Sequence, residues 1–180
     1  MPGIDVIPAE RIPDALLSII ENAPLPDLND NPRSNDLATE IKNQLHNSPF
    51  KGTLIESALW LLAGELDRSH RISQQFDSPE GSFWHAIMHR REGDYSNSKY
   101  WFRRVGNHPV LEELRAKIAD DRRATLADEE LIHHLLQSDW FSGAIVDACQ
   151  EACTQRPQWR APLRQIAWWE WQLLFAYTMH

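Results

Sequence analysis

Apolar side chains recur at intervals of three and four residues along most of the chain, a spacing that is typical of amphipathic α-helices. Residues 9–21 show it first, with Ile12, Leu16 and Ile19 on one face. No stretch alternates apolar and polar residues as a half-buried strand does, and Val, Ile and Thr are sparse relative to Leu, Ala, Glu, Gln and Arg. The sequence therefore predicts an all-α fold, a single domain over residues 1–180 built as a helical bundle of about seven to eight helices.

Proline, glycine and capping residues divide the chain into helices. Residues 1–34 hold the first helix and a proline-rich loop, and Ser34 or Asn35 is suited to cap the helix that follows. Residues 53–105 are the most informative stretch, and we expect them to form the site-bearing helices. These predicted helices cover about residues 53–76, the segment from Ser78-Pro79 to Gly93, and the segment from Ser96 to Gly106.

Tryptophan is abundant, with eight residues in the chain and four of them near the C-terminus. The last predicted helix, near residues 161–177, carries three of these rings together with several aliphatic residues, so we expect it to be a core element. Glu170 lies within it, between Trp169 and Trp171. Burial of this acid would be costly without an Arg, His or metal partner, and a surface position on the helix is the alternative.

Charge and composition narrow the classes of function. The 180 residues carry a formal net charge of −8, which disfavours binding to a nucleic-acid backbone. No apolar run approaches the roughly 18–20 residues of a membrane span, and the first residues lack the pattern of a secretory signal. We therefore expect a cytoplasmic protein without a membrane partner. Glycine-rich phosphate loops and dinucleotide-binding patterns are missing too, so we expect no nucleotide cofactor.

Histidine spacing in residues 53–105 predicts a metal site. A helix turns about 100° per residue, so His85, His89 and Glu92 fall on one face. The short link before this helix favours antiparallel packing of its neighbour, which brings His70 towards His85. Imidazole and carboxylate ligands suit a divalent first-row ion such as zinc, iron, manganese or nickel, without selecting among them. The candidate metal ligands are His70, His85, His89 and Glu92, with Asp67 as an alternative acid.

Two other interpretations of these histidines stay open. The rings could hydrogen-bond to carboxylates or line a solvated groove without any ion. Alternatively, His85 or His89 could be the catalytic acid–base group without a metal, with Asp67 or Glu92 orienting the ring.

Arginine supplies a second predicted binding feature. Residues 68–104 hold seven Lys and Arg against four Asp and Glu, a local excess of positive charge in an acidic chain. The helix that begins near Ser96 presents an amide, two aromatic rings and a guanidinium on one side. This mixture can stack on a planar ligand and bind its carboxylate or phosphate, whereas ion pairing at the surface is the alternative. The candidate ligand-binding residues are Arg90, Arg91, Asn97, Tyr100, Trp101 and Arg104.

The segments LDRSHRISQ (66–74) and FWHAIMHRREGDYSNSKYWFRRVGNHPV (83–110) resemble a family of small helical proteins from bacteria and fungi whose function is not assigned. The resemblance covers about a quarter of the chain. It implies no activity, substrate or cofactor, but it implies that the candidate residues belong to one motif. These residues are His70, His85, His89, Arg90, Arg91, Glu92, Asn97, Tyr100, Trp101 and Arg104.

These features favour one functional hypothesis and leave two alternatives. The first is a divalent-metal-dependent enzyme that acts on a small anionic substrate, with Arg90 or Arg104 fixing the negative charge of that substrate. The second is a metal-free module that binds a small carboxylate or phosphate. The third is a helical protein-interaction domain whose tryptophans and basic residues meet an acidic partner.

Overall fold

The structure is a computed structural model that describes residues 4, 6–7, 10, 12–29, 33–121 and 128–179. These residues form ten α-helices with no strand among them, which confirms the all-α class. The helices are α1 (Asp14–Asn22), α2 (Asn35–Leu45), α3 (Leu54–Leu62), α4 (Leu66–Ser73), α5 (Pro79–Glu92), α6 (Tyr95–Val105), α7 (Pro109–Asp121), α8 (Glu129–Leu136), α9 (Phe141–Thr154) and α10 (Arg160–Thr178). A 3-10 turn at Pro157–Trp159 precedes α10.

The predicted count of seven to eight helices is wrong, in part because the long helix expected over residues 53–76 is two helices. Gly64, with a φ of 73°, adopts the left-handed conformation that glycine tolerates best. Its amide donates to the carbonyl of Leu61 at 3.1 Å, and the amide of Glu65 donates to that of Trp60 at 2.9 Å. This pair of bonds is the Schellman arrangement, which ends α3 and lets α4 start as a separate helix packed on it.

Serine side chains cap the starts of α2 and α5, as predicted. Ser34 caps α2, and its hydroxyl accepts from the amide of Leu37 at 3.3 Å. Ser78 caps α5 by accepting from the amide of Gly81 at 3.1 Å, and Pro79 is the first helical residue. Both bonds satisfy amides that have no partner within their own helix, so the start of each helix is fixed by local sequence.

A tight turn joins α5 to α6. Gly93 ends α5 with a φ of 80°, as predicted, and its amide donates to the carbonyl of Arg90 at 3.2 Å. Asp94 then caps α6, because its carboxylate accepts from the amide of Asn97 at 3.1 Å. With so short a connection, α6 packs along α5 and its first turns face the second half of α5.

Helix α10 is a core element, which confirms the prediction for the C-terminal tryptophans. Trp168, Trp169 and Trp171 are buried. The Trp171 indole donates to the carbonyl of Ala58 in α3 at 3.0 Å, and its ring packs against Trp84 of α5 with centroids 6.1 Å apart. These contacts fix α10 to both α3 and α5. Across the described ranges, no helix combines the length and apolar character that a membrane crossing requires.

An ion pair inside the core joins α5 to α10. The Arg90 and Glu170 side chains are only 2% and 1% exposed. The guanidinium donates through both terminal nitrogens to the two carboxylate oxygens, Nη1 to Oε1 at 3.2 Å and Nη2 to Oε2. Although burial alone would lower the pKa of Arg90, the Glu170 carboxylate raises it, so the guanidinium stays charged. Glu170 is thus a buried acid with an arginine partner rather than a surface residue.

Removing one partner of the Arg90–Glu170 pair should destabilise the fold far more than removing both. Glu170→Leu leaves Arg90 as an unpaired buried cation, and breaking a buried pair in this way costs about 3–5 kcal/mol. We expect the double variant Arg90→Met/Glu170→Leu to recover most of that loss, because it buries no charge. Urea unfolding followed by circular dichroism gives the free energies, and a double variant no more stable than Glu170→Leu alone would contradict the pairing.

Candidate metal centre

Three histidines from two helices meet in one place. His70 lies on α4, and His85 and His89 lie one turn apart on α5. The ring centroid of His70 lies 4.6 Å from that of His85 and 5.1 Å from that of His89. The centroids of the two α5 rings are 4.7 Å apart. One nitrogen from each ring lies within 4.8 Å of the others. His85 and His89 are buried and His70 is half-buried, so the group is largely shielded from water.

Close packing at the start of α5 brings these rings together. Residues 74–78 connect α4 to α5, and Gly81 lies against the carbonyl of Phe76 in that connection. A Cβ at Gly81 would lie 2.3 Å from this oxygen, so only glycine allows the first turn of α5 to approach so closely. The glycine was not among the predicted site residues, because its contact with Phe76 depends on how α5 packs against the preceding connection.

Burial keeps the α5 imidazoles neutral. Together with the neighbouring rings of His89 and His70, it lowers the pKa of His85 to about 3. Burial also lowers the pKa of His89, against the opposing effect of the Glu92 carboxylate. A neutral imidazole has an unprotonated ring nitrogen, which is the form that binds a metal ion.

Glu92 and Asn97 fix the ring of His89. The Glu92 carboxylate lies 3.1 Å from Nδ1 and accepts a hydrogen bond from it. The Asn97 amide nitrogen lies 3.1 Å from Nε2, to which it donates, and 3.4 Å from Nδ1. With the proton on Nδ1, Nε2 is the nitrogen with a free electron pair. Among the described residues, the three histidines form a group that could hold a metal ion, and Glu92 contacts one of its rings from outside that group. A carboxylate that orients a ligating histidine is common in metal sites.

His85 is held by stacking on an aromatic ring of α6. Its ring stacks on Trp101 of α6, with centroids 4.0 Å apart and planes inclined by 15°. Its Nδ1 is buried, and no described residue provides a hydrogen-bond partner for it. A buried polar atom without a partner is costly, and such atoms often mark a site where a ligand or ion binds.

The predicted binding face of α6 borders the histidines. Asn97 contacts His89 and Trp101 contacts His85, so two of its four candidate side chains are in contact with the site. The exposed Tyr100 packs edge-on against Trp101 at 5.4 Å, and the Arg104 guanidinium lies over the same ring at 5.1 Å. The indole therefore stacks on an imidazole, where the sequence suggested a planar ligand.

Three other candidate residues lie outside the histidine group. Arg90 is enclosed in the core by its pair with Glu170, which leaves it without access to a substrate. Arg91 is buried and donates to the carbonyl of Leu61 at 2.5 Å. Asp67 is exposed and pairs loosely with Arg33 at 3.5 Å. None of the three belongs to the ligand group found among the described residues.

No protein-family model matches the chain, and neither do curated proteins or solved structures. The resemblance of residues 66–74 and 83–110 to a family of small helical proteins therefore stays a prediction. What the site can do has to be judged from its own geometry.

That geometry suits a small divalent ion. Two nitrogens that share a tetrahedral zinc ion at about 2.0–2.1 Å lie about 3.4 Å apart. The histidine nitrogens lie within 4.8 Å of one another, so small rotations of the side chains would let them share an ion. Three imidazoles suit zinc, copper, iron and nickel, and three protein ligands leave a position free for water or substrate.

The neutral state of His85 predicts an acid-sensitive fold in the metal-free protein. In the unfolded chain its imidazole has the ordinary pKa of 6.5 and gains a proton as the pH falls, whereas in the folded chain it stays neutral until about pH 3. Stability should therefore be lost as the pH falls from 6.5 towards 3, and His85 should account for roughly 2 kcal/mol at pH 5.

Chemical unfolding of chelator-treated protein between pH 7 and pH 5 measures this effect. We expect His85→Gln to lose less stability over that range than the unsubstituted protein. His133→Gln, at an exposed histidine of α8, is the matched control and should keep the original pH dependence. An unchanged pH dependence in His85→Gln would show that its ring is not held neutral.

Proposed function

We propose that this protein binds one divalent first-row metal ion through His70, His85 and His89 and uses it to transform a small anionic substrate. The observation that carries this proposal is the convergence of three imidazoles, one nitrogen from each within 4.8 Å, in a largely buried position. The proposed ligands and their neighbours come from α4, α5 and α6, so the site is built on helices and not on loops.

The polar contacts of the rings favour an ion over a purely structural role. A structural histidine in a core gains from hydrogen bonds to carboxylates or carbonyls. Only one of the two buried rings has a carboxylate partner, since Glu92 binds His89 while Nδ1 of His85 has no partner among the described residues. Packing three polar imidazole rings against one another also contributes little hydrophobic stabilisation. A shared cation would supply a partner for His85, which has none among the described residues.

Acid–base catalysis by the histidines alone is a poorer fit. An efficient acid–base group has a pKa near the working pH, because both of its protonation states are then accessible. Burial and the neighbouring imidazoles lower the pKa of His85 to about 3, so its ring stays neutral through the physiological range. Burial also lowers the pKa of His89, the other candidate acid–base group. The same neutrality favours the metal-ligand role.

Each neighbouring side chain has a defined task in this proposal. A bound ion would polarise a carbonyl or phosphoryl oxygen or activate water. Glu92 holds the proton of His89 on Nδ1 and so directs Nε2 to the ion. Asn97 occupies that Nε2 in the metal-free protein and has to withdraw when an ion binds. Arg104, exposed beside Trp101 at the edge of the site, is placed to meet the negative charge of a substrate.

Metal content tests the proposal directly. Protein purified without a histidine tag should contain about one divalent ion per chain by elemental analysis, and His85→Ala and His89→Ala should each lose it. His133→Ala is the matched control, because it removes an exposed imidazole of α8 and should retain the ion. Circular dichroism verifies that each variant is helical. Trace metal in the original protein, or a full complement in both site variants, would rule the centre out.

Glu92→Gln should weaken the metal centre without abolishing it. The amide is a poorer acceptor for the Nδ1 proton of His89, and loss of such an orienting carboxylate weakens metal binding by about 10–100-fold. Competition with a chromophoric chelator measures the affinity. Glu112→Gln, which neutralises an exposed acid of α7, should leave it unchanged. Equal affinity of Glu92→Gln and the original protein would remove Glu92 from the centre.

A further inference from the structure

A second buried arginine on α5 differs from its neighbour in having no ion-pair partner among the described residues. Arg91 is only 4% exposed, and no carboxylate of the described residues forms an ion pair with it. Arg90, next to it on α5, is neutralised by Glu170. An unpaired buried cation is strongly unfavourable, so the surroundings of Arg91 call for an anion.

The donors of Arg91 are only partly satisfied. Nη1 donates to the carbonyl of Leu61 at 2.5 Å. Nε is enclosed without a hydrogen-bond partner, and Nη2 has none among the described residues either. Nε and Nη2 lie side by side on one edge of a guanidinium, and this edge binds two oxygens of a carboxylate or phosphate at once. The unused edge of Arg91 therefore has the donor arrangement that an oxyanion requires, and the side chain has to turn slightly to expose the enclosed Nε to one.

Arg91 lines an open cleft of about 600 Å³ that begins beside the break between α3 and α4. Gly64 and Leu66 form one wall, and Glu92 and Gly93 at the end of α5 form another. The cleft is large enough for a small organic acid or a phosphate ester.

The two acids that line this cleft each have a partner other than Arg91. Asp67 pairs with Arg33 at 3.5 Å, and the Glu92 carboxylate accepts from His89. Neither acid neutralises Arg91. Burial and the nearby charge of Arg90 lower the pKa of Arg91 to about 9, against the opposing effect of the Asp27 carboxylate, and the guanidinium is still charged at neutral pH. Asp27 forms an ion pair with Arg160 at 3.0 Å. Arg33, which also lines the cleft, is the partner of Asp67 and stays close to any ligand that enters there.

We propose that this cleft is a binding site for a small carboxylate or phosphate, which the free edge of Arg91 holds. The site is separate from the three histidines and does not require their metal. Its place is nevertheless significant, because Glu92 lies in the wall of the cleft and also orients His89. A ligand held there would lie one side chain away from the metal centre.

Arginine Nε–H resonances of nitrogen-15-labelled, chelator-treated protein test the site. Sodium acetate and inorganic phosphate are added in separate titrations, and sodium chloride at equal ionic strength corrects for general salt effects. We expect a saturable shift of the Arg91 signal with at least one of the two anions. Comparison of the two titrations shows whether the site prefers a carboxylate or a phosphate.

Arg91→Lys and Arg71→Lys provide the matched pair of variants. Arg91→Lys keeps the positive charge but loses the two-donor edge, so the anion should bind at least tenfold more weakly. Arg71→Lys makes the same change at an exposed residue of α4 and should bind as the original protein does. Heteronuclear spectra of the backbone report the binding in the variants and show that they are folded.

Three results would overturn the anion site. One is the lack of any saturable shift of the Arg91 signal with either anion, which is decisive even if Arg91→Lys does not fold. Another is equal anion affinity in Arg91→Lys and the original protein. The third is a response to chloride as strong as that to acetate and phosphate. Because these experiments use metal-free protein, they are independent of the metal content that tests the histidine centre.

Discussion

Burial of α5 on every side is the constraint on which the rest of the structure depends. Residues 81–91 are all buried, and they include two histidines and two arginines. Each of these polar groups needs a partner inside the protein, because water cannot serve them there. Arg90 finds one in Glu170, and His89 finds one in Glu92. Arg91 and His85 are incompletely satisfied by the described residues, and these two mark the proposed anion cleft and metal centre.

Local sequence was sufficient for part of the fold and of the site. Helix class, the caps at Ser34 and Ser78 and the end of α5 at Gly93 follow from short-range chemistry. The side-by-side placement of His85 and His89 follows from helical geometry alone, and the short α4–α5 connection was enough to bring His70 to them. The proposed ligands were therefore within reach of sequence reasoning, since all of them lie on consecutive helices.

The partners of the arginines could not be predicted in this way. Arg90 and Glu170 are 80 positions apart, and no spacing rule connects residues on packed helices so distant in sequence. A helix that is buried all round also has no polar face, so periodicity does not distinguish a core arginine from a surface one. The break at Gly64 was missed because a single glycine inside an apolar pattern is tolerated in many helices. Here the end of α3 is shown by the hydrogen bonds that the carbonyls of Leu61 and Trp60 accept from the amides of Gly64 and Glu65.

The location of a bound ion tests the central claim most directly. Crystals grown with zinc and measured on both sides of the zinc absorption edge would locate every zinc ion by anomalous scattering. We predict one strong peak about 2.0–2.1 Å from a ring nitrogen of each of His70, His85 and His89. Zinc bound only at exposed side chains, with these three rings unoccupied, would contradict the account.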